Sequence, residues 1–277
     1  MRKYYIAAIL FFMFSVNLWA QNFKSFDCSD PIIEKPDKKL SINENLDYSL
    51  EWLGIPVGKI NLHIEGEIMI SGREYYLIAA KALPNSFFKK FYDFEYNVST
   101  LVDTQTFLTR RFEKTRRIGK DSVREIIDFD RASNIVHYKV ENAAPKLQLS
   151  FDRVKMEQDI PQTYELVPNA QDLFSALYYF RVTEVKPDSQ VKLDVYYALR
   201  NWKVDAYIGK ARMVALRKKG TRPVFNVRLS SQLNRFVFGK EDMDVTFTAD
   251  SRRIPVYFKF GSGIGTFRGV LEEFPKK

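Results

Sequence analysis

An alternation of apolar and polar residues restricts the fold of this chain more than any other feature. In LDYSLEWLGIPVGKINLHIEGE, residues 46–67, apolar residues take every second position on either side of a break at GIPVG: Tyr48, Leu50, Trp52, Ile60, Leu62 and Ile64. Because successive side chains of a strand point to opposite faces, the pattern predicts two half-buried strands. The glycines and the proline of GIPVG predict a tight or bulged corner between them.

The same alternation recurs to the end of the chain, between short stretches that favour turns. SGRE, IGKD, FDRASN, LRNW and KKGTRP separate runs rich in Val, Ile, Tyr and Phe. Turns at such short intervals leave no room for the crossover helices that parallel strands need. The sequence therefore predicts a mainly β fold, in which a long antiparallel sheet curls into an open or closed barrel.

One segment, NAQDLFSALYYFRV at residues 169–182, has a strong helical pattern. Asn169 is placed to cap it, and Asp172 lies where a negative charge favours the helix dipole. Its apolar stripe contains Leu173, Ala176, Leu177 and Phe180, widened by Phe174 and Tyr178. We expect this principal helix, near residues 170–182, to pack against the concave face of the sheet. PNSFFKKFY, with aromatic residues four apart, predicts a second, short helical turn.

The first twenty residues, MRKYYIAAILFFMFSVNLWA, have the layout of a secretory signal peptide. Arg2 and Lys3 precede an apolar run shorter than the roughly 20 residues of a membrane span. We expect cleavage near Ala20 and a periplasmic location. The charged, proline-containing residues 21–44 predict a flexible lead-in to a single β domain at residues 45–272.

Composition limits both the compartment and the partners. Cys28 is the only cysteine of the chain, so an internal disulfide is impossible and the fold depends on its core. Lys and Arg number 43 against 34 Asp and Glu, which gives a formal net charge of +9. A basic exported protein suits the anionic cell envelope, and peripheral membrane contact is compatible with it. Export and the lack of a recognised binding motif argue against nucleic acid.

The order of several motifs resembles a known family. GIPVG, DLFSALYYFR and DSRRIPV follow one another as in exported bacterial proteins of the domain of unknown function 3108 family. The resemblance covers roughly residues 45–272. It implies membership of an exported family, and it carries over no catalytic residues.

The sequence offers little for catalysis. His63 and His137 are the only histidines, and HExxH, CxxC and GxSxG are absent. We therefore predict no catalytic residues, no metal and no cofactor. A glycan-acting hydrolase stays as an alternative, and it would need a converging carboxylate pair. Two pairs alternate on one strand face about 7 Å apart by strand rise. They are Asp93 with Glu95, and Asp242 with Asp244.

A basic run, TRRFEKTRRIGK, is the main candidate for binding an anionic group. In a strand, Arg110, Lys114 and Arg116 would share the face of Phe112, with Arg111 and Arg117 opposite. One interpretation is a docking edge for lipid headgroups or acidic glycans. The other is protection of an exposed strand against pairing with another molecule. A second basic cluster, residues 217–219, occupies a predicted turn.

The aromatic residues, 23 Phe, 15 Tyr and 3 Trp, are the main candidates for an apolar site. They either fill the interior of the curled sheet or line a cavity in it. We expect a non-enzymatic envelope protein that binds an amphiphilic or acidic component, a lipid or a glycan. A structural scaffold with a filled core is the other alternative. The predicted ligand-binding residues are Arg110, Arg111, Arg116, Arg117, Phe174 and Tyr178.

Overall fold

The computed structural model describes residues 36–141, 162–216, 220–231, 242–262 and 265–275. The strands of these residues are β1 (Asn45–Trp52), β2 (Ile55–Ile70), β3 (Arg73–Pro84), β4 (Phe94–Asp103), β5 (Thr109–Ile118), β6 (Asp121–Asp130), β7 (Ile135–Glu141), β8 (Gln162–Glu165), β9 (Ser189–Tyr197), β10 (Arg200–Ile208), β11 (Arg212–Leu216), β12 (Gly220–Ser230), β13 (Met243–Thr248), β14 (Pro255–Ser262) and β15 (Gly265–Leu271). The helices are α1 (Ser86–Lys89) and α2 (Leu173–Val182). The predicted signal peptide, Cys28 and the basic cluster at residues 217–219 lie outside the described residues.

The strands form one antiparallel sheet, as the short turns predicted. Its order is β8-β7-β6-β5-β4-β3-β2-β1-β15-β14-β13-β12-β10-β9, and β11 pairs with β12. Most neighbours in the sheet are also neighbours in the sequence. The main exception is the pair of β1 with β15, which joins the two halves of the chain. Strands β8 and β9 remain as the edges, so the curled sheet is not closed.

The seam between the two edges is bridged by the segment that leads into α2. Gln171 forms a parallel bridge with Val195 of β9, and its side chain donates to the Phe107 carbonyl at 3.0 Å. Arg131 follows β6 and donates to the carbonyls of Thr109 and Ala170 at 2.9 and 2.7 Å. These contacts tie the segment to β9 on one side and to the β4–β5 and β6–β7 turns on the other.

The GIPVG corner combines a tight turn with a bulge. Leu53 and Gly54 have φ of 50° and 85° and connect β1 to β2. Leu50 pairs with Gly58, whereas Glu51 pairs with Pro56, so one residue of β2 is left over and forms the bulge. A Cβ at Gly58 would lie 2.5 Å from the Leu83 carbonyl oxygen, which only glycine avoids. The prediction of a bulged corner is confirmed.

Helix α2 lies against the concave face of the sheet, as predicted, but its cap differs. Asp172, and not Asn169, is the N-cap, because its carboxylate accepts from the backbone amides of Phe174 and Ser175. Neither helix of the described residues is long and apolar enough to cross a membrane. Eight of the apolar residues of the first two predicted strands and of the helix stripe are predicted to be buried. Four of them are: Tyr48, Leu50, Leu62 and Phe180. The other four are half-buried: Trp52, Ile60, Leu173 and Leu177.

The C-terminal end of α2 is held by a buried ion pair. Arg181 contacts Glu44 with Nη1 and Oε1 2.5 Å apart, and both side chains are almost fully buried. Arg181 also donates to the Arg252 carbonyl. The backbone amides of residues 37 and 38 donate to the Val182 carbonyl at 2.7 and 3.1 Å. Of the predicted flexible lead-in, the structure describes residues 36–44, and these pack against the domain with Leu40 buried.

We expect Glu44→Gln to lower the free energy of unfolding by about 3–5 kcal/mol, because it leaves the Arg181 charge buried without its counterion. Equilibrium denaturation in urea measures the change. The matched control is Glu272→Gln, which breaks the solvent-exposed pair with Lys59. That variant should lose about 1 kcal/mol or less. Equal losses in the two variants would contradict the anchoring role of Glu44.

Candidate ligand-binding cavity

The interior of the curled sheet contains a cavity of about 270 Å³ beside α2. The sheet contributes residues of β1 to β5, β9, β10 and β12 to β14, and the helix contributes Leu173, Phe174, Ala176, Leu177 and Phe180. Leu173, Phe174 and Leu177 are only half-buried because they face this space. Ile60 lines it as well, which explains its exposure. Between a filled interior and a cavity, the described residues favour the cavity.

Stacked aromatic side chains form one wall of the cavity. The ring of Phe258 lies 5.4 Å from that of Tyr48 and 6.4 Å from that of Phe260. Phe260 continues to Phe267 at 5.5 Å. A Cβ at Gly269 would overlap the Phe258 ring, so glycine on β15 makes room for the ring against the sheet. On the opposite wall, Phe174 of α2 contacts Phe112 of β5 at 6.4 Å.

Beside the cavity, the inner face of β5 and β6 forms a charged wall. Lys114 is one of the residues that line the cavity, and its ammonium lies 2.9 Å from a Glu125 carboxylate oxygen. Arg116, two residues along β5, is also buried. The Tyr138 hydroxyl donates to the other oxygen of Glu125 at 3.2 Å. These charges lie inside the sheet, where a low dielectric strengthens their interactions.

Tyrosine hydroxyls surround this charged wall and remain protonated. Burial raises the pKa of Tyr138 well above its usual range, and the neighbouring Glu125 raises it further. Burial likewise raises the pKa of Tyr197 and Tyr96, both of which line the cavity. A protonated hydroxyl can donate to an anionic group or accept from a cation. The inner face of β5 and β6 is therefore the polar part of an otherwise apolar interior.

The predicted arginine cluster is divided between the two faces of β5. Arg116 faces the interior with Lys114 and Phe112, as predicted. Arg111 and Arg117 lie on the outer face, also as predicted. The predicted face of Arg110 is wrong, because Leu101 pairs with Arg111 and Val102 with Thr109, which leaves Arg110 as the extra residue of a bulge and gives Thr109 the inward position. Arg110 is exposed instead.

The outer arginines are paired with acids of neighbouring strands. Arg111 binds Asp128 in a bidentate pair, with distances of 2.5 and 2.8 Å. Arg117 contacts Asp93 at 3.2 Å and Glu95 at 3.5 Å. Such pairs hold adjacent strands together and neutralise the positive charge that a docking edge would need. Arg111 and Arg117 therefore offer little to an anionic ligand.

Of the two aromatic residues predicted to bind a ligand, Phe174 lines the cavity and Tyr178 does not. Tyr178 is fully buried on the other side of α2, where the Arg181 guanidinium lies 5.1 Å from its ring centroid. Burial raises the pKa of Tyr178 to about 12. Its contact with Arg181 indicates that it supports the helix anchor.

Members of both predicted carboxylate pairs are bound by basic side chains. Hydrogen bonds from Arg117 lower the pKa of Asp93, and those from Lys81 and Asn97 lower the pKa of Glu95. A glycosidase needs one carboxylic acid with a raised pKa to protonate the leaving group. Asp244 is bonded to Arg228 at 3.0 Å. Among the described residues, no cluster of three or more His, Cys, Asp or Glu side chains could hold a metal ion.

Glu125 was not singled out in the sequence, and Lys114 and Asp172 were named there without being placed among the predicted ligand-binding residues. Glu125 sits between Val123 and Ile127 in VREIIDF, so the alternation already placed a carboxylate on the inner face of β6. A charge at an inward position of a strand is a usable signal, since an unpaired buried charge is strongly disfavoured. Asp172 holds the helix beside the cavity. Its second carboxylate oxygen accepts from the hydroxyls of Thr100 and Thr109 at 2.7 and 2.6 Å.

We expect Asp172→Ala to lower the free energy of unfolding by about 2–4 kcal/mol. The variant removes the N-cap of α2 and leaves two buried threonine hydroxyls without their acceptor. Thermal and urea denaturation measure the loss. The control is Asn85→Ala, which removes the N-cap of the short, exposed helix α1 and should lose about 1 kcal/mol. A loss for Asp172→Ala no larger than the control would show that Asp172 does not anchor α2.

Two solved structures are similar to this chain. A beta-barrel-like protein of the domain of unknown function DUF1849 from Brucella abortus has a TM-score of 0.51 at 14% identity, over 85% of this chain and 98% of that one. A protein with a YmcC-like fold from Bacteroides fragilis, whose name describes it as exported, has a TM-score of 0.33 at 8% identity, over 87% of this chain and 100% of that one. No curated protein matches the chain.

The curled antiparallel sheet and the first of these structures define the class, a beta-barrel-like fold with an internal helix. The family model described as protein of unknown function (DUF3108) matches residues 47–272. The chain therefore belongs to the DUF3108 family, and the resemblance found in its sequence motifs is confirmed.

Proposed function

We propose that this protein binds an amphiphile of the cell envelope, with the apolar chain of the ligand in the cavity beside α2. The observation that carries the proposal is the cavity itself, about 270 Å³ in volume and lined almost throughout by apolar side chains. Apolar cavities of about 150 Å³ accept a molecule of the size of benzene, and ligand pockets begin near 300 Å³. The volume suits a single hydrocarbon chain or part of one.

The polar end of the ligand would meet Lys114 and Arg116. Lys114 lies at the cavity wall and contacts Glu125. An ammonium has three donors, so it can bind a ligand oxygen while it keeps Glu125. Arg116 is the one predicted arginine on the inner face of β5, where it is buried next to the cavity but does not line it. Arg111 and Arg117 lie on the outer face in ion pairs. The expected ligand is therefore a single-chain amphiphile with a carboxylate or a similar anionic group.

Export to the periplasm is part of the same proposal. The layout of residues 1–20, which is that of a signal peptide, supports export. The net positive charge supports it too, because a basic protein would meet anionic components of the envelope there. The described residues hold no group of three metal-ligating side chains, and the pKa values of Asp93 and Glu95 are both lowered, which supports binding over hydrolysis by that pair.

The first test is uptake of oleic acid and oleyl alcohol, which share the same chain, measured by displacement of a fluorescent fatty acid. We expect Leu177→Trp to weaken the binding of both about tenfold or more. The larger indole would displace about two methylene groups of the ligand from the cavity, and burial of each contributes about 0.8 kcal/mol to binding. Met213→Trp is the matched control, since Met213 is exposed on β11 and lies away from the cavity.

A second pair of variants tests the polar end. Lys114→Met should weaken the binding of oleic acid about tenfold or more and leave that of oleyl alcohol unchanged, because a charge-assisted hydrogen bond is worth about 1.5–3 kcal/mol. Arg111→Met on the outer face should change neither. If the unaltered protein binds neither ligand, or if Leu177→Trp and Met213→Trp bind equally well, the cavity is not the binding site.

A further inference from the structure

One end of the curled sheet carries four large apolar side chains that face solvent. Leu53 and Ile55, in and next to the β1–β2 turn, are 62% and 55% exposed, and Phe87 and Phe91, in and after α1, are each 61% exposed. The two segments are joined, because the Asn85 side chain donates to the Pro56 carbonyl at 2.6 Å. We call these four residues the end patch. Apolar side chains gathered on a surface in this way mark an interaction site.

Exposed lysines border the end patch. Lys89 and Lys90 lie between Phe87 and Phe91 in the chain, and both are exposed. Exposed Lys120 lies in the β5–β6 turn, which comes close because the Gly119 amide donates to the Asp93 carbonyl at 2.9 Å. The nearby carboxylate of Asp93 is bound to Arg117. The border of the patch is therefore positive.

A row of aromatic rings connects this end to the cavity. Trp52, the last residue of β1, lies 6.5 Å from Phe267 between ring centroids. Phe267 leads to Phe260 and Phe258, which line the cavity. A continuous row of packed aromatic rings thus extends from the side of the end patch to the cavity.

We infer that the end patch docks on the surface of an anionic phospholipid bilayer. When leucine, isoleucine and phenylalanine side chains enter the headgroup region, their apolar surface is removed from water, which favours binding. Lysines beside them are attracted to the anionic lipids. The exposed apolar side chains and the positive border together fit a lipid surface. Such a surface offers hydrocarbon to the apolar side chains and anionic headgroups to the lysines. This inference does not depend on the cavity being occupied.

Flotation with vesicles tests the inference, with phosphatidylcholine alone and with added phosphatidylglycerol. We expect the unaltered protein to bind the anionic vesicles more strongly, and added salt to weaken that binding. The double variant Phe87→Ser, Phe91→Ser should reduce partitioning about tenfold or more on either vesicle. Lys89→Ser with Lys90→Ser should reduce it on anionic vesicles only.

The control is the double variant Met69→Ser, Tyr207→Ser. Both side chains are exposed, and Met69 lies at the far end of β2 from Ile55. We expect this control to bind vesicles as the unaltered protein does. A loss equal to that of the phenylalanine variant, or no vesicle binding by the unaltered protein, would overturn the inference. Oleic acid affinity should stay unchanged in the phenylalanine variant, so that a failure of docking is distinguished from a failure of the cavity.

Discussion

The position of helix α2 inside the sheet depends on buried charges at its two ends. At the N-terminus, Asp172 accepts from two backbone amides of the helix and from two threonine hydroxyls of the sheet. At the C-terminus, Arg181 is paired with Glu44. Apolar packing alone is non-directional and would allow the helix to slide or rotate. Since a buried charge without partners is strongly disfavoured, the helix is stable in one position only.

That fixed position explains how a cavity can persist beside the helix. Leu173, Phe174 and Leu177 face the space, and a helix that moved to fill it would have to give up the contacts of Asp172 or Arg181. An empty cavity of about 270 Å³ would weaken a fold by several kcal/mol, by the proportionality measured for core cavities. An apolar ligand would restore the missing dispersion contacts. The anchors therefore keep α2 from moving into the cavity and closing it.

Alternation and turn chemistry were sufficient to predict the class of fold and the location of α2. They are local properties of the sequence, and a strand keeps its two faces whatever it pairs with. Register is not local. The bulge opposite Leu101 and Val102 reversed the expected position of Arg110, and only the pairing of β5 with β6 brings Asp128 to Arg111. The cavity could not be predicted either, because filled and hollow interiors have the same alternation.

The basic run of β5 shows that a charge pattern can be interpreted only when it is known which face of the strand each residue occupies. Its outer arginines bind acids across the sheet, where exposed ion pairs join strands at little net gain. Its inner cations are different, since replacing a buried ion pair by apolar residues is often neutral or stabilising. Stability alone therefore gives little reason for Lys114 and Glu125 to lie beside an apolar cavity. The proposed ligand with an anionic end would supply one, because a cation beside the cavity would bind that end and orient the chain that follows it.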